Sequence, residues 1–510
     1  MAEIWFFSSF RHGDNMIGRK KEQKKLLEIY NNNQADLVAV YGRRRIGKTF
    51  LIQETFNNNF FFKHSGLSLD ENEENKQTQK QLNNFYNSLI VYGAKNIEIP
   101  KNWFEAFLDL EKLILEKDNG DKQVIFIDEL PWLDTNGSDF ISAFEGFWNG
   151  FACGRKNIMV IICGSAISWI ENNLINNHGG LYGRVTYEIK LEPFTLKECK
   201  EFFESKNIRF SNYDIVQAYM AIGGIPYYLN YFDNTKSLTQ NINDLFFKRS
   251  SVLYFEFDRL FNSMFVNPTM TKKIVELLYT KKIGYSREEI IQKLKIADNG
   301  NLSKYLNSLI ASNFIVKYIP FGITKKTKYY KLIDPYCLFY LNFIEKKNAK
   351  EDFWINNYLK PTVTSWRGYA FENICFNHIE QIKYKLGIAA VGAEISSWYY
   401  NNNSEKGQID LLIKRNDNVI NVCEIKFYSD DFVVNKDDYK KITSRCEEIY
   451  NYIPKKFAVC STLITTYGLF KNEYSSIFQN IITLNDLFDF KRGWNIPFYS
   501  YKFLVNTPFL

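Results

Sequence analysis

The pattern of apolar and polar positions changes character three times along the 510 residues. Up to Leu191, short unbroken apolar runs alternate with amphipathic stretches. Leu37–Val40, Val124–Ile127 and Ile158–Cys163 have the length and content of strands buried on both faces of a parallel sheet. Phe60–Lys63 predicts a further strand, and Val185, Tyr187, Ile189 and Leu191 alternate as a half-buried one does. Between them helical spacing recurs, as in Leu26, Leu27 and Tyr30. From residue 195 to residue 250 the pattern is helical, broken at Gly223-Gly224-Ile225-Pro226.

Beyond Thr271 three helical segments (Thr271–Lys282, Ser286–Leu294, Asn301–Ser312) lead into two strand-like pieces, Ile315–Ile319 and Lys328–Leu332. That order predicts a winged helix, and Ser286-x-x-Glu289 supplies a capping box for its second helix. After residue 361 a helix spanning Trp366–Cys375 precedes two apolar strands joined at Asn416-Asp417-Asn418, a hairpin, with Phe457–Ile464 as a later strand. The tail from Trp494 reads as aromatic packing. So long a chain exceeds one core. The expected division is an α/β core at 14–194, a helical lid at 195–265, a winged helix at 266–345 and a second α/β domain at 355–510.

The strand Leu37–Val40 runs into Gly42-Arg43-Arg44-Arg45-Ile46-Gly47-Lys48-Thr49, and a helix opens at Lys48 with Phe50 on it. Strand, loop and helix in that order are the setting of a phosphate-binding P-loop. Glycines let successive N–H groups face a phosphate, and the helix N-terminus adds partial positive charge. Lys48 is expected on the β- and γ-phosphates of ATP, and Thr49 on Mg²⁺. Val124–Ile127 ends in Asp128-Glu129. A parallel strand delivers carboxylates to the edge where such ligands sit, which suits Asp128 to the metal and Glu129 to the attacking water. Ser165, at the end of Ile158–Cys163, is placed to sense the γ-phosphate, and Arg184 to reach phosphates of its own or a neighbouring subunit.

A second constellation lies downstream. Asp410 falls on one strand of the hairpin, and Glu424 and Lys426 on the other. The two-residue period of a strand points Glu424 and Lys426 the same way, and Glu372 sits on the preceding helix. An Asp and a Glu facing each other in an apolar sheet are costly unless they hold a cation. With a lysine beside them, the set suits metal-assisted phosphodiester hydrolysis, with Asp410 and Glu424 as ligands. Lys436, Lys440, Lys441 and Arg445 make a basic helical region able to track a phosphate backbone.

Composition adds limits. The net charge of +7 permits nucleic-acid binding without requiring it. None of the eight cysteines forms a C-x-x-C pair, which excludes a zinc site of that kind and fits a reduced compartment. No apolar run approaches the length of a membrane span, and the start lacks the features of a signal peptide, so the expected location is cytoplasmic.

Ile17-Gly18-Arg19, the P-loop, Phe126-Ile127-Asp128-Glu129, Cys163-Gly164-Ser165, Tyr182-Gly183-Arg184, Leu191-Glu192-Pro193-Phe194 and Gly223–Pro226 together resemble the archaeal-type ATPase family of the AAA+/STAND group. Many of its members carry a winged helix and a C-terminal domain similar to PD-(D/E)XK nucleases. The resemblance implies that Gly18 and Arg19 open the base pocket, and the break at Gly223–Pro226 is compatible with a lid that folds over the nucleotide base and brings Pro226 to it. It also implies that Ser165 is a sensor and Arg184 an arginine-finger candidate. Ile409 stands where the nuclease pattern has Pro. The expected function is an ATPase coupled to a metal-dependent nuclease acting on nucleic acid, DNA foremost, in defence or DNA processing, with homo-oligomers possible. The alternative is a regulatory ATP switch whose C-terminal domain only binds nucleic acid or a protein partner.

Overall fold

The computed structural model describes residues 16–68, 77–176, 179–322, 327–345, 350–401 and 406–489. Lys325 and Lys326 of the expected wing, and the tail from Trp494, lie outside the described residues. The chain divides into two compact units, Met1–Pro193 with Asn262–Val266, and Phe194–Phe261 with Asn267–Leu510.

The first unit is built on β1 (Asp36–Gly42), β2 (Phe62–Ser65), β3 (Gln123–Asp128), β4 (Ile158–Gly164) and β5 (Tyr187–Leu191). They pair in the order β2-β3-β4-β1-β5, parallel throughout. Every residue of β1, β3 and β4 is buried, which is why their sequences read as unbroken apolar runs. The edge strand β5 alternates instead. Helices Gln77–Val91, Trp103–Glu116 and Phe140–Gly150 bring in an aromatic cluster. Phe62 meets Phe85 at 5.3 Å and Trp103 meets Phe140 edge-on at 4.9 Å. Contacts of that geometry add about 0.5–1.5 kcal/mol each beyond the area they bury. The parallel register brings Gly42, Asp128 and Gly164, the carboxyl ends of β1, β3 and β4, to one edge of the sheet.

In the second unit, helices Leu196–Ser205, Asn212–Ile222 and Leu238–Phe246 each begin with a capping box, Thr195/Glu198, Ser211/Asp214 and Ser237/Gln240. Gly224 lies so close to the chain at Phe194 that an added Cβ would fall 1.9 Å from the Phe194 carbonyl oxygen. The Phe194 amide donates to the Gly224 carbonyl at 2.6 Å, so the chain at Phe194 and at Gly224 meets through its backbone.

A helix-and-hairpin segment follows. Its helices are Pro268–Tyr279, Arg287–Leu294 and Gly300–Ala311, with β6 (Tyr285–Ser286), β7 (Ile315–Tyr318) and β8 (Tyr329–Leu332) in the antiparallel order β6-β8-β7. Ser286 and Glu289 form the anticipated capping box.

The last part of the unit carries β9 (Ala393–Asn401), β10 (Lys406–Arg415), β11 (Val419–Lys426), β12 (Ala458–Thr465) and β13 (Asn480–Thr483). Their order is β13-β12-β11-β10-β9, with β9, β10 and β11 antiparallel and β12 and β13 parallel to β11. Helix Pro361–Asn377 precedes this sheet and helix Lys436–Tyr452 joins β11 to β12. Helices Leu196–Ser205 and Asn212–Ile222 are fastened to this part of the unit. The Tyr213 ring stacks on Phe427 at 4.9 Å, and the Leu196 amide donates to His378 Nε2 at 3.2 Å.

Candidate functional site

At the carboxyl edge of the first sheet the P-loop turns between β1 and helix Lys48–Thr55. Gly42 has φ +150°, and a Cβ there would sit 2.4 Å from the Leu191 carbonyl oxygen, so the loop requires a residue without one. Gly47 caps the helix in the left-handed region at φ 88°. The buried Lys48 ammonium donates to the carbonyls of Gly42 and Arg43, both at 3.0 Å. The carbonyls thus occupy donors that the sequence assigns to phosphates. Ile46 is fully buried and Arg43 nearly so, while Arg44, Arg45, Thr49 and Phe50 are half-buried.

The Thr49 hydroxyl donates to Asp128 Oδ2 at 2.8 Å, across 79 residues of sequence. Glu129 adopts a left-handed conformation, φ 45°, in which its amide bonds Asp128 Oδ1 at 3.0 Å. Its carboxylate accepts from the Ser165 amide at 3.2 Å and from the Ser165 hydroxyl at 3.1 Å. Burial raises the Glu129 pKa, with the Lys48 ammonium pulling it back and Asp128 raising it again. Lys48, Thr49, Asp128, Glu129 and Ser165 therefore form one connected group.

Arg19 lies beside it. Its buried guanidinium donates to the carbonyls of Ile46 at 3.2 Å and Glu192 at 2.7 Å, bracing the P-loop against the end of β5, and Gly18 precedes it at φ 67°. Arg184 stands apart from this network. It is exposed in a turn held by its amide to the Leu181 carbonyl at 3.1 Å, and its guanidinium makes no hydrogen bond or ion pair among the described residues. Pro226 opens helix Pro226–Leu229 in the second unit. Sequence reasoning missed Lys63 on β2. Burial lowers its pKa and the charge of Asp128 raises it, placing a second cation near the acidic strand end. A lysine in a Phe-rich strand carries no pattern that marks it.

The second centre lies on the sheet β9–β13. Leu411 pairs with Cys423, so Asp410 and Glu424 are the next opposing positions of β10 and β11. The β9–β10 register shifts between Ile409 and Leu412, a bulge at Asp410 of the kind that re-aims a side chain. Gln408 donates to Asp410 Oδ1 at 3.1 Å. Glu424 pairs with Lys426 at 2.9 Å through Oε1 and with Arg445 through Oε2. Burial and Glu424 push the Asp410 pKa up to about 6, against Arg445, Lys331 and Lys426. Burial and Asp410 push Glu372 up to about 8, against Lys331 and Lys282. The structure thus brings Glu372, Asp410, Glu424 and Lys426 together from three elements, and adds Lys282 and Lys331, which the sequence did not mark. Among the described residues no three His, Cys, Asp or Glu side chains are close enough to hold a metal ion.

No helix among the described residues is long and apolar enough to cross a membrane. All eight cysteines are free.

Residues 16–232 match the family described as an ATPase domain predominantly from Archaea. An uncharacterized protein of Methanocaldococcus jannaschii is 26% identical over 83% of this chain and 94% of its own length. An uncharacterized ATP-binding protein of the same organism is 26% identical over 42% of this chain and 68% of its own. Among solved structures, the Walker-type ATPase of Pyrococcus abyssi is similar at 21% identity and TM-score 0.44, covering 64% of this chain and 96% of that one. By the family match, residues 16–232 are a P-loop ATPase domain, and the Lys48–Thr49–Asp128–Glu129–Ser165 group lies within it.

Proposed function

We propose that this chain is an ATP-driven switch coupled to phosphodiester hydrolysis of nucleic acid, DNA foremost, at the C-terminal acidic cluster. Thr49 and Asp128 offer hard oxygen donors already in contact at 2.8 Å, a set that suits Mg²⁺. When bound with ATP, the ion neutralises phosphate charge. Lys48 would exchange its two loop carbonyls for the β- and γ-phosphate oxygens. Glu129, oriented by Ser165, would align the attacking water and accept its proton. Loss of the γ-phosphate would then be felt at Ser165 through the shared carboxylate. Gly18 and Arg19 would frame the base, Pro226 would close over it, and Arg184, exposed as a finger must be, would serve phosphates in cis or in a neighbouring copy.

The observation that carries the C-terminal reading is the opposition of Asp410 and Glu424 on β10 and β11, with Lys426 two residues on and Glu372 on a preceding helix. The order of one helix, an antiparallel triplet of strands, a helix and a parallel strand supports likeness to PD-(D/E)XK nucleases. In this arrangement the cluster does not fit a divalent ion, because both Glu424 oxygens are taken by Lys426 and Arg445. The same occupancy favours a second reading, a regulatory ATP switch whose C-terminal domain binds nucleic acid or a protein without cutting.

The deciding experiment incubates the protein with supercoiled, linear and single-stranded DNA and with RNA, with and without Mg²⁺ or Mn²⁺ and ATP, beside Asp410→Ala. Cutting that disappears in the variant supports hydrolysis. Binding without cutting under every condition supports the switch.

A further inference from the structure

The helix-and-hairpin segment reaches into the C-terminal cluster. Helix Pro361–Asn377 carries Tyr369, Glu372 and Phe376 at three- and four-residue spacing, so the three share one face. Lys331, from β8, lies across that face. Its ammonium is 4.7 Å from the Phe376 ring centroid and 5.9 Å from that of Tyr369, the residues that flank Glu372. Lys282, just before β6, stands 4.6 Å over the same Tyr369 ring.

Lys331 is 6% exposed, at a strand position where the neighbours Tyr330 and Leu332 are core residues. A buried lysine is costly unless its charge is compensated. Among the described residues its ammonium makes no hydrogen bond or direct ion pair. Burial lowers the Lys331 pKa, the charges of Glu372 and Asp410 act against that, and Lys282 adds to it. Two rings therefore wall the ammonium in beside the helix that carries Glu372, and the charges of two carboxylates act on it.

The local charge count sharpens this. Glu372, Asp410 and Glu424 carry at most three negative charges, while Lys282, Lys331, Lys426 and Arg445 carry four positive ones. A divalent cation would add two more to a cluster already in positive surplus, and like charges in a buried site repel strongly.

Resting on the reading of the C-terminal cluster as a hydrolytic centre, we propose that Lys331 is the resident counter-ion of Glu372 and Asp410, holding the place of a divalent cation. The helix-and-hairpin segment is then part of the site, as its safety catch.

The test measures Mn²⁺ binding to the full chain without nucleotide, by electron paramagnetic resonance, for wild type, Lys331→Gln, Lys282→Gln and Lys331→Gln/Asp410→Ala. Differences between variants cancel any ion held at the ATPase centre. Lys331→Gln should bind one Mn²⁺ about tenfold or more tightly than wild type, as expected when a competing charge is removed. The gain should vanish with Asp410→Ala, and Mn²⁺ should raise the melting temperature of Lys331→Gln but not of wild type. Lys282→Gln, at an exposed position, should shift affinity in the same direction by less, and decides the matter if Lys331→Gln does not fold. Wild-type affinity in both lysine variants, or a gain that survives Asp410→Ala, overturns the inference. If Lys331→Gln gains Mn²⁺ but cuts no nucleic acid, the counter-ion role stands and the hydrolytic reading falls. If wild type and variant cut alike with equal Mn²⁺ affinity, the outcome is the reverse.

Discussion

The Thr49 hydroxyl and the Asp128 carboxylate touch at 2.8 Å although one opens the P-loop helix and the other ends β3. The two side chains proposed to hold the ion are thus in direct contact at the sheet edge. Lys48, beside them, spends its hydrogen bonds on the carbonyls of Gly42 and Arg43. Lys48→Ala should therefore leave the fold intact and lower ATP affinity by about 100-fold, the scale of losing a charge-assisted contact to phosphate. Titration with a fluorescent ATP analogue, beside circular dichroism, checks both halves. Unchanged affinity would remove Lys48 from the site.

Glu129 owes its position to Ser165, which offers both an amide and a hydroxyl to the carboxylate. Glu129→Gln keeps the size of the side chain and removes the base. ATP should still bind, while turnover drops by about 10²–10⁴-fold, the usual contribution of a positioned general base. Ser165→Ala should lower the rate less, because the amide bond remains. Single-turnover hydrolysis and nucleotide retention on a filter separate binding from chemistry.

Gly224 and Gly146 make a paired test of packing. A methyl at Gly224 would collide with the Phe194 carbonyl, whereas one at Gly146, inside helix Phe140–Gly150, meets nothing within 4 Å. Gly224→Ala should cost about 1–3 kcal/mol through overpacking. Gly146→Ala should gain about 0.5–1 kcal/mol from helix propensity. Urea denaturation of the two variants should move in opposite directions.

His378 is fully enclosed, with Nδ1 donating to the Ile374 carbonyl at 2.9 Å and Nε2 accepting from the Leu196 amide. Burial lowers its pKa to about 4, so the folded state holds the ring neutral. A folded pKa below the unfolded value gives stability that is present above pH ~6.5 and drains away as pH falls towards 4, up to about 3 kcal/mol in all. His64, lowered to about 3 by burial, acts in the same sense. His378→Gln should flatten the pH dependence of the melting temperature between pH 6.5 and 4, at some loss of stability at pH 7. An unchanged slope would show that His378 does not titrate with unfolding.

The ATPase centre was legible in the sequence because its chemistry lies at the ends of strands buried on both faces, whose apolar runs announce them. Glu424 and Lys426 were legible too, because a strand repeats every two residues. The contacts of Arg19 were not, since a guanidinium bound to backbone carbonyls leaves no partner in the sequence to read. Strand β9 escaped because Ser396 and Ser397 are buried polar residues in its middle, and they blur the alternation. Lys331 escaped for a different reason. It lies 41 positions before Glu372, on a strand too short to show a period, and only tertiary packing lays it on the helix that carries Glu372.

The fastening of helices Leu196–Ser205 and Asn212–Ile222 to the C-terminal part of the chain has a practical side. Leu196 relies on a ring nitrogen supplied by His378, and Tyr213 lies flat against Phe427. A fragment that begins near residue 355 would bare the Phe427 face, and a fragment that stops before it would leave helix Leu196–Ser205 without its ring-nitrogen acceptor. Neither half is a free-standing module. Expressed separately they should aggregate, and mixing them should recover solubility that neither shows alone.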